Sequence, residues 1–202
     1  MITSVLLVVL ALAGLVAAAF GAIRLEQARR RRDEEAQWAE IAALLDAELR
    51  IGEDGRPWIR GRAQDVEWEV QSSGGRGGVP RFGVRFEGSD RLAPAAVWRS
   101  TQEDEEVAPP AIGTDFRMVF SIDESPVPAG CVRWLADGEI QDLLVTIHPI
   151  AARVVETRGM PPVPTIEIAL DDTTVLTIRT AIDWALRMAR LAREGQPAAP
   201  PH

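Results

Sequence analysis

Few residues of this chain could support nucleophilic or metal chemistry: one cysteine, Cys131, and two histidines, His148 and the terminal His202. A catalytic thiol needs a base such as histidine beside it, and a structural zinc ion needs about four nitrogen or sulfur ligands. Cys131 stands in an apolar stretch, where a small buried side chain is the usual role of a free cysteine. His148 precedes Pro149 at a predicted helix end, where it would cap the last carbonyls. We therefore expect no catalytic residue, no cofactor and no metal site.

Two further segments have the composition of a ligand site without its spacing. Residues 72–78 read Ser-Ser-Gly-Gly-Arg-Gly-Gly, but the lysine and the following helix of a nucleotide-binding loop are missing. Residues 103–106 are four consecutive acids, whereas a calcium loop spaces its oxygen ligands along the chain. We expect a hairpin loop in the first segment and a solvated acidic loop in the second.

The amino-terminal segment has the length and composition of a transmembrane helix. Residues 2–23 contain no charged side chain, and a helix of that length extends about 33 Å, against a hydrocarbon core of about 30 Å. We expect residues 1–23 to be a retained membrane helix whose residues 2–23 contact the lipid bilayer. The alternative is a cleaved signal peptide, for which residues 17–19 fit the small-x-small cleavage pattern but a basic n-region is missing.

A basic collar follows the apolar run directly and predicts the orientation of the chain. It consists of Arg24, Arg29, Arg30, Arg31 and Arg32. Basic residues beside a span stay on the cytoplasmic side. We therefore expect a single-pass protein of the bacterial inner membrane, with its amino terminus outside and its soluble domain in the cytoplasm. The alternative is an exported soluble domain, or one that faces the periplasm.

Composition and charge limit the partners. All 22 basic residues are arginine, and Asn and Tyr are absent as well, which is typical of a GC-rich bacterial genome. The chain carries −8 in total and residues 24–32 carry +4, so residues 33–202 carry −12. A domain this acidic is a poor ligand for nucleic acid and is repelled by anionic lipid. We expect no nucleic-acid partner, and a domain that is tethered to the membrane rather than adsorbed on it.

Small residues recur along one side of the predicted span. Ala13, Ala17 and Gly21 follow each other at four-residue spacing, and such stripes let two helix backbones approach closely in lipid. They indicate a possible homodimer through the span. The alternative is that they reflect only the abundance of alanine in this chain.

The rest of the chain alternates between helical and strand patterns. Residues 24–52 contain the collar and a juxtamembrane amphipathic helix with apolar residues at 38, 41, 45 and 49, ended by Gly52, and Asp33 to Glu35 either begin this helix or lie within a continuous one. Residues 53–194 predict an α+β globular domain: a mostly antiparallel sheet of six or seven strands, packed against helices. Apolar residues alternate at 66–70 and at 82–86, which predicts two of the strands, and Asp137 is a predicted helix N-cap. A long carboxy-terminal helix is predicted after a cap at Asp171 or Asp172, with a buried stripe from Val175 to Ala192. Residues 195–202 predict a disordered tail. We expect all six tryptophans in the core, and an open sheet edge at residues 92–101.

The segment Gly113-Thr-Asp-Phe-Arg-Met-Val-Phe120 has the strongest two-residue alternation in the chain and predicts a strand through Ile122. Its Gly113, Asp115, Phe116 and Phe120 resemble a Gly-Asp-x-x-Phe-Asp-x-x-Phe-like segment of some uncharacterised bacterial single-pass membrane proteins, although the acid between the phenylalanines is absent here. The resemblance implies a span, a meander of strands and a following helix. It implies no activity.

Two functions fit these patterns. The first is a membrane-tethered, non-catalytic interaction or scaffold domain that presents a sheet face or groove to an unidentified protein partner. The second is a hydrolase-type enzyme at the membrane, with a site built from scattered carboxylates and arginines. Because catalytic sets usually leave a recognisable motif and none is present, we favour the first.

Overall fold

The computed structural model describes residues 2–72, 79–100, 112–123, 132–156 and 164–194, without the side chains of residues 2–13, 17, 123, 156 and 164. Residues Met1–Glu40 form one compact unit, and residues Ile41–His202 form a second. Four of the segments discussed above lie outside the described residues: the glycine-rich segment from residue 73, the acidic run at 103–106, Cys131, and the tail from residue 195.

Helix α1 runs from Ile2 to Leu44, so the apolar segment and the basic collar belong to one continuous helix. Its end is closed by two backbone bonds, from the Ala47 amide to the Ala42 carbonyl at 2.9 Å and from the Asp46 amide to the Ala43 carbonyl at 3.4 Å. Asp46 adopts a φ of 51°, as the residue after a helix does in this type of cap. The helix therefore ends before Gly52, where the apolar spacing had placed its end.

A search of the described residues finds no helix long and apolar enough to cross a membrane. Most of the apolar run falls on residues 2–13 and 17, whose side chains are outside the described set. The described residues thus give no support to the transmembrane segment, which stays a prediction.

Eight short strands form a single sheet. They are β1 (Glu48–Ile51), β2 (Pro57–Ala63), β3 (Val66–Gln71), β4 (Arg81–Arg85), β5 (Ala95–Arg99), β6 (Phe120–Asp123), β7 (Ala151–Glu156) and β8 (Pro164–Ala169). Their order is β1-β2-β3-β4-β8-β7-β5-β6, and every neighbouring pair is antiparallel. The predicted α+β class with a mostly antiparallel sheet is confirmed. The open edge predicted at residues 92–101 is wrong, because β5 lies between β7 and β6.

Helices cover one face of the sheet, which we call the inner face. The chain forms a short 3-10 turn (Ser89–Arg91), α2 (Thr114–Val119), α3 (Arg133–Ala136), α4 (Gly138–Ile147) and α5 (Val175–Glu194). The predicted carboxy-terminal helix is confirmed: α5 packs on β3 and β4, and α4 packs on α5. Their interface buries Ile140, Leu144, Ile178, Trp184 and Met188.

The strand predicted at Gly113 to Ile122 is wrong over its first half. Residues Thr114–Val119 are helical, and only Phe120–Asp123 form a strand. Phe116 and Phe120 are both buried, with ring centroids 4.9 Å apart, whereas Met118 is 76% exposed. The apolar residues that matter are four apart, a helical spacing, and the alternation that included Met118 was misleading.

The tryptophans are not all in the core. Trp38, Trp68, Trp134 and Trp184 are buried, but Trp58 is half-buried and Trp98 is 45% exposed. Both exceptions sit at strand positions whose side chains point away from the helices. The prediction of a wholly structural tryptophan set is therefore wrong for Trp98.

An ion pair between α4 and α5 joins the two helices. Asp137 caps α4 by accepting from the Ile140 amide at 3.1 Å, as predicted. Its carboxylate also takes a forked contact from Arg187, through Nε at 3.2 Å and Nη2 at 2.5 Å. Burial alone would raise the pKa of Asp137, but the hydrogen bonds from Arg187 and Ile140 and the charge of Arg187 outweigh it, and the pKa is lowered.

A glycine on β2 makes room for the largest ring on the inner face. A Cβ atom on Gly61 would overlap Cζ2 and Cε2 of the Trp68 indole, whereas a Cβ atom on Gly83 would make only ordinary contacts with the Glu69 side chain, at 3.5 Å from Cγ and 3.7 Å from Oε1. We predict that Gly61→Ala lowers the free energy of unfolding by about 1–3 kcal/mol, the usual cost of overpacking a core. Gly83→Ala is the matched control and should leave stability within about 0.5 kcal/mol of wild type. Urea unfolding checks this, and equal stability of the two variants would contradict it.

The Asp137 carboxylate should make stability depend on pH at the acid end. Asp137→Asn keeps the helix cap but removes the charge facing Arg187, so we expect it to cost about 1–2 kcal/mol at pH 7. Because the folded pKa is below the unfolded value of about 4, the stabilisation is complete above that value and is lost as pH falls through the lower folded pKa. Urea unfolding of both proteins at neutral and strongly acidic pH measures this. A difference that persists unchanged in acid would contradict it.

Candidate functional site

The face of the sheet away from the helices, which we call the outer face, carries the candidate site. Along each strand the buried residues alternate with residues that are half-buried or exposed. In β3, for example, Val66, Trp68 and Val70 are buried, while Glu67 and Glu69 lie on the outer face. In β4, Phe82 and Val84 are buried.

The strand register aligns the outer residues into rows that cross the sheet. The central row passes from Glu48 through Arg60, Glu69, Gly83, Glu167 and Arg153 to Ala96. Oppositely charged residues face each other at three of the six steps of this row, and such cross-strand pairs stabilise a sheet by about 0.2–1 kcal/mol each. The alternation is interrupted at Gly83, which has a glutamate on both sides.

A second row has a tryptophan one step in from each end. It passes from Arg50 through Trp58, Gln71, Arg81, Ala169 and Ala151 to Trp98 and Ser121. The Arg50 guanidinium lies over the Trp58 ring, 5.5 Å from its centroid. Towards the other end, the Trp98 indole is 45% exposed, and its neighbour in the row, Ala151, is buried.

Three ion pairs join arginines to glutamates among the described residues of this face. Arg60 contacts Glu67 at 2.7 Å, and Arg50 contacts Glu48 at 2.9 Å. The hydrogen bond from Arg50, with the charges of Arg50 and Arg60, lowers the pKa of Glu48 against the opposing effect of burial. Arg153 is paired with Glu167, whose side chain is 15% exposed.

Arg81 and Arg85 differ from these paired arginines. They occupy the two outer positions on either side of Gly83 in β4, and both are exposed. Among the described residues neither guanidinium makes a hydrogen bond or an ion pair. Arg85 faces Glu67 in the register, but the Glu67 carboxylate binds Arg60 instead. Two guanidinium groups are thus left with unused donors, and a guanidinium binds carboxylates in a two-point geometry.

A shallow notch lies over Gly83. Its volume is about 160 Å³, and its walls include Arg60, Glu67, Glu69, Arg85 and Thr165. Ligand pockets for small molecules usually measure about 300–1,000 Å³. The notch is therefore a surface feature that would receive one side chain of a partner rather than an enclosed substrate site.

A larger groove, of about 540 Å³, lies between α2 and α4. Asp115 and Asp142 lie on its walls, but its deepest polar group, Gln141, is already used. Gln141 accepts from the Gly113 amide at 2.9 Å and donates to the Leu135 carbonyl at 2.7 Å, so it anchors α2 and α3 to α4. Among the described residues no group of three or more His, Cys, Asp or Glu side chains is placed to hold a metal ion.

The predicted membrane residues lie on α1. The side chains of Arg24, Arg29, Arg30, Arg31 and Arg32 are all exposed, and Arg30 pairs with Glu26 at 2.9 Å. Of the predicted dimer face, Ala13 and Ala17 lie outside the described side chains, and Gly21 is exposed with no described atom near the position of a Cβ. The structure thus brings the collar into a single helical segment and leaves the homodimer a prediction.

The predicted cap at His148 is present in its backbone. His148 ends α4 with a φ of 50°, and its amide donates to the Leu144 carbonyl at 2.9 Å. Its own carbonyl accepts from Arg99, which also reaches the Pro149 carbonyl at 3.3 Å and Asp171 at 2.5 Å. These contacts hold the end of α4 against the sheet, which is a structural role.

Comparison of the chain with protein families, with curated proteins and with solved structures finds no match. The resemblance drawn from Gly113 to Phe120 therefore stays a prediction. Function has to be inferred from the residues of the chain itself.

The sequence did not lead us to predict the outer face as a site, although the alternation of charged residues that forms it can be read there. Arg81, Gly83 and Arg85, like Glu67 and Glu69, occupy alternate positions in strands that were correctly predicted. The sequence does not predict that β4 pairs with β8, which lies about 80 residues later in the chain. This pairing places Glu167 and Thr165 beside Gly83.

Proposed function

We propose that this protein is a membrane-tethered, non-catalytic interaction domain that binds a partner protein through the outer face of its sheet. The observation that carries the proposal is the composition of that face. It combines an exposed tryptophan, two exposed arginines without described partners and a shallow notch. Tryptophan and arginine dominate the binding energy of protein interfaces, whereas an enzyme usually encloses its substrate in a deeper pocket.

The tether is proposed from the first helix. Leu15, Val16, Phe20 and Ile23 are each more than half exposed over three turns of α1, although all are large and apolar. A helix that is apolar on every side needs an apolar surrounding, and the uncharged run of residues 2–23 extends this property to the length of a bilayer. The collar then favours the bacterial inner membrane, with the domain on the cytoplasmic side.

Apolar contact with lipid should decide where the chain is found. We expect wild type, fused at its carboxy terminus to a reporter active only in the cytoplasm, to be active and to resist alkaline extraction from membranes. Leu15→Arg with Val16→Arg should move it to the soluble fraction, since each arginine near the middle of a span costs about 2.5–3.5 kcal/mol. Leu25→Arg is the matched control, because Leu25 is exposed but lies beside the collar. Wild type that is soluble, or a reporter active only after export, would contradict the tether.

Binding through the outer face should be visible by crosslinking in cells. A photoreactive residue at Thr165, on the notch, is expected to give discrete crosslinked products with another protein. The same residue at Arg190, on the exposed side of α5, is the control and should give none of these products. Equal crosslinking from both positions, or none from Thr165, would contradict the proposed face.

The hydrolase alternative has a separate location, the groove between α2 and α4. Among the described residues that line this groove, Asp115 and Asp142 are the only acids. Gln141, which also lines it, is engaged in hydrogen bonds that hold the fold together. Nothing in this arrangement pairs a nucleophile with a base, so the interaction domain is the better supported function.

A further inference from the structure

The outer face contains two exposed features that lie in the same cross-strand row. One is Arg81, with Arg85 two outer positions away on β4; the other is Trp98 on β5. The register connects them through Ala169 and Ala151, so that no large side chain stands between Arg81 and Trp98. Both features can therefore contact one continuous segment of a partner.

Charge indicates what that segment carries. The outer positions of the sheet hold six arginines, at 50, 60, 62, 81, 85 and 153, and five acids, at 48, 67, 69, 167 and, opposite Ala96 in the register, 123, for a net charge of +1. The remainder of residues 33–202 then carries −13. An acidic protein segment would be attracted to this face and repelled by the rest of the domain, a combination that fixes where it docks.

Geometry sets the spacing of the groups that bind. Arg81 and Trp98 are three strand-to-strand steps apart in the register, which corresponds to about 14 Å. An extended chain covers about 3.4 Å per residue, so about four residues of a segment that crosses the strands separate the two contacts.

We infer that the outer face recognises an acidic, extended segment of a partner protein in which a carboxylate lies about four residues from a large apolar side chain. This carboxylate is bound by the Arg81 guanidinium, a second carboxylate of the segment is bound by Arg85, and the apolar side chain packs on Trp98 beside the half-buried alanines at 96 and 169. This inference rests on the proposed function and specifies the partner for the same face.

A lipid surface or a nucleic acid fits the face less well. Glu67 and Glu69 stand between the arginines, and both would oppose a continuous array of phosphates. A segment with separated carboxylates can instead contact each arginine and avoid the glutamates. Within the described part of the chain, the Arg81 and Arg85 guanidiniums also have no ion-pair partner to release before they bind a carboxylate of the segment.

The test is direct binding of a designed peptide to the purified full chain in a neutral detergent, at low salt, by calorimetry. The probe is a short capped peptide of alternating glutamate and serine with one phenylalanine about four residues from the central glutamate. Comparison peptides replace glutamate by glutamine, replace phenylalanine by serine, or move the phenylalanine next to the glutamate. Phosphatidylglycerol vesicles and a single-stranded oligonucleotide are the remaining probes.

Three variants separate the contacts. Arg81→Glu with Arg85→Glu should weaken binding of the peptide at least about tenfold, because it removes charge-assisted hydrogen bonds and places carboxylates against those of the peptide. Trp98→Ser should weaken it by a comparable factor. Arg91→Glu with Arg190→Glu is the control: it makes the same charge change at two exposed arginines in the 3-10 turn and α5, and binding should stay within about twofold of wild type, the loss that weaker long-range attraction allows. Unchanged thermal unfolding of each variant confirms that it is folded.

Each other outcome overturns the inference. Absence of peptide binding, equal binding of the glutamine peptide, equal weakening in the control variant, or tighter binding of vesicles or oligonucleotide would each do so. Failure of the proposed function can be distinguished from failure of this inference, because in that case the photoreactive residue at Thr165 gives no crosslinked product in the otherwise unchanged chain. Persistence of that crosslink in the Arg81→Glu, Arg85→Glu variant would overturn only the inferred partner chemistry.

Discussion

Every side chain of the sheet takes its face from one antiparallel register, which runs without a break from β1 to β6. Because side chains alternate between faces, a slip of one residue in any strand would bury its arginines and glutamates and expose its core. In β3 that slip would exchange Trp68 for Glu67 or Glu69. The fit of the Trp68 indole over Gly61 opposes it, since only a residue without a Cβ leaves the ring its space.

The same register separates the charges of the domain. It collects arginines on the outer face of a domain that is otherwise strongly acidic, and glutamates on that face pair with three of the six, Arg50, Arg60 and Arg153. On the inner side, ion pairs serve the fold: Arg187 joins α5 to the cap of α4, and Arg193 joins it to Asp65 at 2.6 Å. Arg81 and Arg85, whose side chains have no ion-pair partner among the described residues, lie on both sides of Gly83, the glycine that interrupts the central row.

Local pattern predicted most strands, the Asp137 cap and the long α5, because each depends on residues near one another in sequence. The failures also have local physical causes. Phe116 and Phe120 fit both a helix, because they are four residues apart, and a strand, because Met118 between them completes an alternation. Burial of the two phenylalanines without Met118 decides for a helix at residues 114–119. Trp98 was assigned to the core by its residue type, although its strand parity places it opposite the buried Val97. The outer face required strand order, which brings β8 from the end of the chain to the side of β4.

The central claim, that a partner covers the outer face in the cell, is tested most directly by comparing accessibility before and after purification. In a Cys131→Ser background, a cysteine at Thr165 and one at Arg190 would be labelled with a maleimide in native membranes and in the purified chain. We expect the Thr165 cysteine to react slowly in membranes and quickly once purified, and the Arg190 cysteine to react at the same rate in both. Equal rates at Thr165 in the two preparations would contradict the claim.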